Sequence, residues 1–191
     1  YPPSPRSVSI ERAAELAQLM PAFVTPVLLF VNETPERIEA ACAAVPGALL
    51  QFHGDESADF CQDMSQRTGR PHLKAARIPL SEVHDFDLLE FALIHQAAQA
   101  LLLDAHVDGY GGGGKTFHWS LLPPNVNAHL VLSGGLTPAN VGDGIRALRT
   151  HGLSLAVDVS SGIEAGKGLK DADKMRQFVQ AVRTADNALS L

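Results

Sequence analysis

The chain has 191 residues, 46% of them hydrophobic and 19% charged, with a formal net charge of −6 and a pI of about 5.7. That is an ordinary globular composition, long enough for one domain with a real core. The acidic balance argues against a nucleic-acid or acidic-membrane partner, and no apolar run reaches the length of a membrane span.

Residues 1–8, YPPSPRSV, are Pro-rich and hold no regular element; on this fragment Arg6 reads as a solvated arginine. Ser9 is an N-cap candidate for a helix from Ile10 to Met20, with Ile10, Ala13, Leu16, Ala17 and Met20 at apolar positions. Val27 to Val31 is a continuous apolar run, as expected of a parallel strand covered on both faces, and Asn32 ends it. Thr34 caps the next helix, with Pro35 at its first position, and the helix runs to about Val45. Leu49 to Phe52 is a strand followed by His53-Gly54-Asp55-Glu56. Ser57 then starts a helix that stops near Gly69. His72 to Ile78 is a weaker strand, and residues 81–98 are partly helical. Cys42 and Cys61 fall inside helical patterns and read as reduced core thiols of a cytoplasmic protein.

The organising stretch is Leu101 to Trp119. The run Leu101-Leu102-Leu103 reads as a buried strand closed by Asp104, and a glycine-rich loop follows. Gly109 to Thr116 satisfies the spacing of a nucleotide-binding P-loop, G-x-x-x-x-G-K-[ST]. That motif needs a strand directly before it and a helix directly after it. Here Ala105 to Asp108 intervene on one side, and Pro123-Pro124 leave room for about one turn on the other. A mobile active-site loop, in which glycine lets backbone approach a ligand, is the better account. Further on, His129 to Leu132 is a strand ending in Ser133-Gly134-Gly135-Leu136, and Pro138 opens a helix that ends near Gly152. Leu155 to Val159 is the last strand, followed by Ser160-Ser161-Gly162-Ile163-Glu164, and the final helix spans roughly Asp171 to Arg183.

Strands and helices alternate in about six βα units, which predicts an α/β fold with a parallel sheet. Nearly every strand ends in a polar or glycine cluster, the arrangement of a (β/α)8 barrel, whose active site is built from those loops. An open doubly wound sheet would concentrate its ligand at one crevice. The glycines after the last two strands, Gly134-Gly135 and Ser161-Gly162, suit a phosphate cup made of backbone amides and a helix N-terminus. Each cluster taken alone reads equally well as a tight turn. Asp104 stands open between a catalytic carboxylate and a structural one that caps loop amides.

Six blocks then carry a resemblance: SPRSV (4–8), LLFVN (28–32), LQFHGDE (50–56), LLLDA with GGGGKTFHW (101–119), LSGGLTPANV (132–141) and VDVSSGIE with GKGLKD (157–171). In this order and spacing they resemble the phosphoribosylanthranilate isomerases of tryptophan biosynthesis, along the whole chain. The resemblance implies a (β/α)8 TIM barrel and an Amadori rearrangement of an aminoaldose to an aminoketose, with no metal and no cofactor. It implies that Asp104 is the general acid, protonating the furanose ring oxygen so that the ring opens to a Schiff base. A carboxylic acid does this only in its protonated form, which burial favours. It places Arg6 at the anthranilate carboxylate, where a guanidinium can pair bidentately. It puts Asp158 on a sugar hydroxyl, and Gly134, Gly135, Ser161 and Gly162 around the phosphate. His53 falls in the family's HGDE block, and a packed or hydrogen-bonded histidine explains it as well as a catalytic one.

This chain departs from the family at its start. The family's first strand carries the general-base cysteine in a KICG-like motif, and a helix and a second strand follow; none of these is present here. The expectation is therefore a single (β/α)8-barrel domain over residues 1–191, lacking the first βα unit and the second strand, with the general base absent from this chain. Six strands cannot close an eight-stranded barrel, so apolar strand edges are expected to be exposed. Cys42 and Cys61, both mid-helix, are not offered as replacements. The expected partner is a small phosphorylated substrate, with neither nucleic acid nor membrane, and the protein a monomer or homodimer. Two alternatives stand beside the isomerase. One is the sister barrel of histidine biosynthesis, which needs a second phosphate site that the first half does not display. The other is a phosphosugar-binding fragment without turnover.

Overall fold

The computed structural model describes residues 1–80, 86–105, 116 and 118–188. The chain forms two compact units. The first comprises residues 1–75 and 95–99, the second residues 76–94 and 100–191.

The first unit opens with α1 (Ile10–Gln18), whose N-cap Ser9 accepts from the Arg12 amide at 3.2 Å. The helix stops short of Met20 because the Leu19 and Met20 amides turn back to the carbonyls of Leu16 and Ala17, the tighter pattern of a helix end, before Pro21. Strand β1 (Val27–Phe30), α2 (Pro35–Ala44), β2 (Leu49–Phe52), α3 (Ala58–Thr68) and β3 (His72–Ile78) follow. Gly69 closes α3 at φ 65°, a left-handed cap that spares it the Cβ penalty. β1, β2 and β3 pair in parallel, Phe30 opposite Phe52 and Phe52 opposite Lys74. Parallel strands need crossovers, and here helices supply them, with Ile38, Cys42, Cys61 and Met64 of α2 and α3 buried in one cluster with Leu50 and Phe52 of β2.

Strand β1 differs from the doubly covered strand that its apolar run predicts. Val27 and Leu29 share one face of β1 and are exposed there, whereas Leu28 on the other face packs against the cluster that includes Ile38 and Phe52.

The second unit contains α4 (Leu88–Ile94), β4 (Ala100–Ala105), a 3-10 turn (Trp119–Leu121), β5 (His129–Leu132), α5 (Val141–Leu148) and β6 (Ser154–Val157). A second 3-10 turn (Ser161–Ile163) leads into the short strands β7 (Glu164–Gly166) and β8 (Leu169–Lys170), and α6 (Ala172–Ala188) ends the described chain. β4, β5 and β6 are parallel neighbours, while β7 and β8 form a separate antiparallel pair. The sheet order is β1-β2-β3-β4-β5-β6, the sequential order that right-handed βα crossovers produce. Leu101, Leu102 and Leu103 are buried, as the uninterrupted apolar run predicts.

Helix α5 begins three residues later than the proline signal suggests. The side chain of Asn140 accepts the Thr137 amide at 2.8 Å and donates to the Gly135 carbonyl at 3.1 Å, which keeps 137–140 as a turn. The β7–β8 pair was not foreseen, since strands this short carry no periodic signal.

Candidate functional site

Register places three polar residues side by side. Leu103 pairs with Leu132, and Leu132 with Val157. The next residue on each strand is Asp104, Ser133 and Asp158, so the C-terminal ends of β4, β5 and β6 present a row of polar groups. Two backbone bonds extend the ladder into this row, from the Ser133 amide to the Leu103 carbonyl at 2.9 Å and from the Asp158 amide to the Leu132 carbonyl at 2.8 Å.

Asp104 is buried, and its Oδ1 accepts the Ala105 amide at 2.9 Å. The exposed Asp158 receives the hydroxyl of buried Ser133 on Oδ2 at 2.9 Å, which fixes the rotamer of that carboxylate. Ser133 was not singled out from sequence. Its only signal was its place directly after a strand.

The two glycine clusters meet. Gly134 and Gly135 are consecutive left-handed residues, at φ 75° and 64°. A Cβ on Gly134 would lie 2.5 Å from the Ala105 amide nitrogen, so the first cluster is pressed against the end of β4. A Cβ on Gly162 would lie 1.8 Å from the carbonyl oxygen of Leu136, so the second cluster is pressed against the first. Only glycine permits either approach. Asp104, Gly134, Gly135, Asp158, Ser161 and Gly162 therefore form one continuous patch of the second unit. The patch combines a buried carboxylate, a hydroxyl-paired carboxylate and loop backbone of the kind that binds anions.

Arg6 belongs to the first unit. It is half-buried, in a turn where its amide donates to Ser4 Oγ at 3.2 Å. His53 is buried at the end of β2, its Nδ1 3.1 Å from Gln51 Nε2. The loop after it is held by a network that sequence reasoning missed. Glu56 accepts the amides of Asn32 (2.7 Å) and Gly54 (2.9 Å) and the ammonium of Lys74 (3.0 Å), which also donates to the Gly54 carbonyl at 2.7 Å. These partners tie the loops after β1 and β2 to Lys74 within β3. The glycine-rich loop 109–115, with its P-loop spacing and its expected lid role, lies outside the described residues.

Both cysteines are buried in helices. Burial raises the Cys42 thiol and pushes Cys61 up to about 12, so neither is a thiolate near neutrality. Among the described residues, no group of three or more His, Cys, Asp or Glu is placed to hold a metal ion, and no helix is long and apolar enough to cross a membrane.

A family model described as N-(5'-phosphoribosyl)anthranilate (PRA) isomerase matches residues 2–181. An N-(5'-phosphoribosyl)anthranilate isomerase of Leptothrix cholodnii is 56% identical over 186 residues, which cover 97% of this chain and 79% of that protein. The solved phosphoribosyl anthranilate isomerase of Thermotoga maritima superposes with a TM-score of 0.76 at 36% identity, covering 96% of this chain and 85% of the other. A structure of a phosphoribosyl anthranilate isomerase in complex with reduced 1-(o-carboxyphenylamino)-1-deoxyribulose 5-phosphate superposes at 0.73 with 33% identity, covering 96% and 84%. The parallel strands and their crossover helices are thus βα units of a (β/α)8 barrel. The chain belongs to the N-(5'-phosphoribosyl)anthranilate isomerase family.

Proposed function

We propose that residues 1–191 act as one barrel domain in which Asp104 is the general acid of the family's reaction, with Arg6, Asp158 and the two glycine clusters holding the substrate. The reaction is the Amadori rearrangement of N-(5'-phosphoribosyl)anthranilate to 1-(2-carboxyphenylamino)-1-deoxyribulose 5-phosphate, an intramolecular aldose–ketose isomerisation in tryptophan biosynthesis. The observation that carries the acid role is the position of Asp104. It is a buried carboxylate at the C-terminal end of a barrel strand, in one row with Ser133 and Asp158.

The chemistry follows from that position. The carboxyl proton passes to the furanose ring oxygen as the C1'–O bond breaks. The anilino nitrogen lone pair forms C1'=N, and Asp104 is left as a carboxylate. Loss of the C2' proton then gives an enolamine that tautomerises to the ketone. No base is assigned among these residues, because both thiols are buried and held protonated. Gly134, Gly135, Ser161 and Gly162 contact the 5'-phosphate through loop backbone, Asp158 binds a sugar hydroxyl, and the Arg6 guanidinium pairs with the anthranilate carboxylate. The ligand of the solved relative carries both a phosphate and a carboxylate, which supports this division of labour. The substrate is a small phosphorylated molecule, and the protein works as a monomer or homodimer in the cytoplasm. The acidic balance and the two unpaired cysteines fit that setting.

Asp104→Asn tests the central claim. Turnover should be abolished, while a reduced product analogue binds within a few-fold of the parent protein. Retained turnover would remove Asp104 from the mechanism.

A further inference from the structure

We propose that Lys170 is a positioning residue for the phosphate loop: its ammonium pins the carbonyl of Ser160 and so aims the Ser161 amide at the substrate phosphate. The inference rests on the phosphate-cup reading above and adds to it a side chain outside the cup.

The Lys170 ammonium donates to the Ser160 carbonyl at 2.7 Å and to Glu164 Oε1 at 2.9 Å, and Ser160 Oγ lies 3.5 Å away. Three acceptors surround an ammonium that has three protons, so its direction is set. The short β7–β8 pair creates this arrangement by placing Lys170 directly across from Glu164. The far side of Glu164 is held as well. Its Oε2 accepts the Gly168 amide at 3.2 Å, and Lys174 donates to its backbone carbonyl at 2.7 Å. Glu164 is buried, so the anchor for the lysine is rigid.

The consequence lies in the backbone. Ser160 has φ −118° and ψ −81°, outside both helix and strand, and its carbonyl is captured by the lysine. In a trans peptide the carbonyl of one residue and the amide of the next point in opposite directions. Fixing the Ser160 carbonyl toward Lys170 therefore points the Ser161 N–H away from it. Gly162, packed against the Leu136 carbonyl, fixes the other end of the same short segment. The loop is preorganised from both sides, and an anion meets an amide that needs no further ordering.

The test compares two ligands on the whole protein: the reduced product analogue and the same compound without its 5'-phosphate, each measured by calorimetry, with inorganic phosphate as competitor. Lys170→Met should weaken the phosphorylated analogue and inorganic phosphate by about tenfold and leave the dephosphorylated compound unchanged. Lys170→Arg should recover most of that loss. Glu164→Gln, which leaves the lysine but loosens its anchor, should show the same selective loss in smaller measure and covers the case in which Lys170→Met folds poorly. Equal weakening of both ligands, or of neither, in all three variants would overturn the positioning role while the cup stands. A parent protein that binds the two ligands equally would overturn the cup, and this inference with it.

Discussion

A Cβ built on Gly134 would lie 2.7 Å from Oδ1 of Asp104. The loop after β5 and the carboxylate at the end of β4 are therefore in van der Waals contact through a residue that has no side chain. Gly134→Ala should disturb both. The left-handed backbone penalises any Cβ, and the new methyl group must displace either the Ala105 amide or the carboxylate. The expected result is a stability loss of about 1–3 kcal/mol by urea denaturation and a fall in turnover of at least about tenfold. Parent-like turnover would mean that the carboxylate tolerates movement, against the role proposed for it.

Lys74 of β3 and Glu56 of the loop after β2 form a buried ion pair, each side chain 3% exposed. Lys74→Met leaves Glu56 buried with two amide donors but without its counter-charge, and should cost about 3–5 kcal/mol. Combining it with Glu56→Gln should cost clearly less than the sum of the two single changes, by about 1 kcal/mol or more in denaturant unfolding. Strict additivity would show that the two groups do not depend on each other.

His95 is buried, and its pKa falls to about 4, first through burial and then through the charges of Lys74 and His72, opposed by Glu56. Its unfolded value is near 6.5. Between these limits the unfolded chain takes up a proton that the folded one refuses. This residue's contribution is therefore intact above about pH 6.5 and is lost as the pH falls toward 4, in total roughly 3 kcal/mol. His72, lowered by burial and by the Lys74 charge, acts in the same direction. Thermal midpoints at pH 7.5 and 4.5 should differ less in His95→Gln than in the parent protein. An unchanged difference would exclude His95 as a source of acid sensitivity.

Arg6 tests the anthranilate end of the substrate. Arg6→Ala should raise the Michaelis constant by about tenfold or more with little change in kcat, and an analogue without the ring carboxylate should not distinguish the two proteins. An unchanged Michaelis constant would return Arg6 to the solvated arginine that its Pro-rich surroundings suggest.

Much of the fold was legible in the residues because its signals are local. The strands read at 49–52, 72–78 and 129–132 became β2, β3 and β5 over those same spans. Ser9 and Ser57 cap helices through their hydroxyls, and Gly69 ends one with a left-handed backbone. Of the proposed site, Asp104 and both glycine clusters stood out because they close or follow strands, where a barrel collects its ligand contacts, and Asp158 took its role from the family resemblance. Ser133 and Lys170 did not. Ser133 also follows a strand, but a serine at that place names no role until its partner Asp158 is seen, and Lys170 sits in a two-residue strand without periodicity.

By itself the sequence determined the alternation of strands and helices, hence a parallel sheet, and the polar residues that end its strands. Periodicity and turn chemistry act over a few residues, so one chain displays them without reference to its fold. Only the tertiary structure decided which strand ends touch. Asp104 against Gly134, Gly162 against Leu136, Ser133 on Asp158 and Glu56 on Lys74 each join residues separated by a whole βα unit or nearly so. Such contacts follow from strand register and from the need of buried polar groups for partners, and neither leaves a local spacing that a reader of the chain could follow.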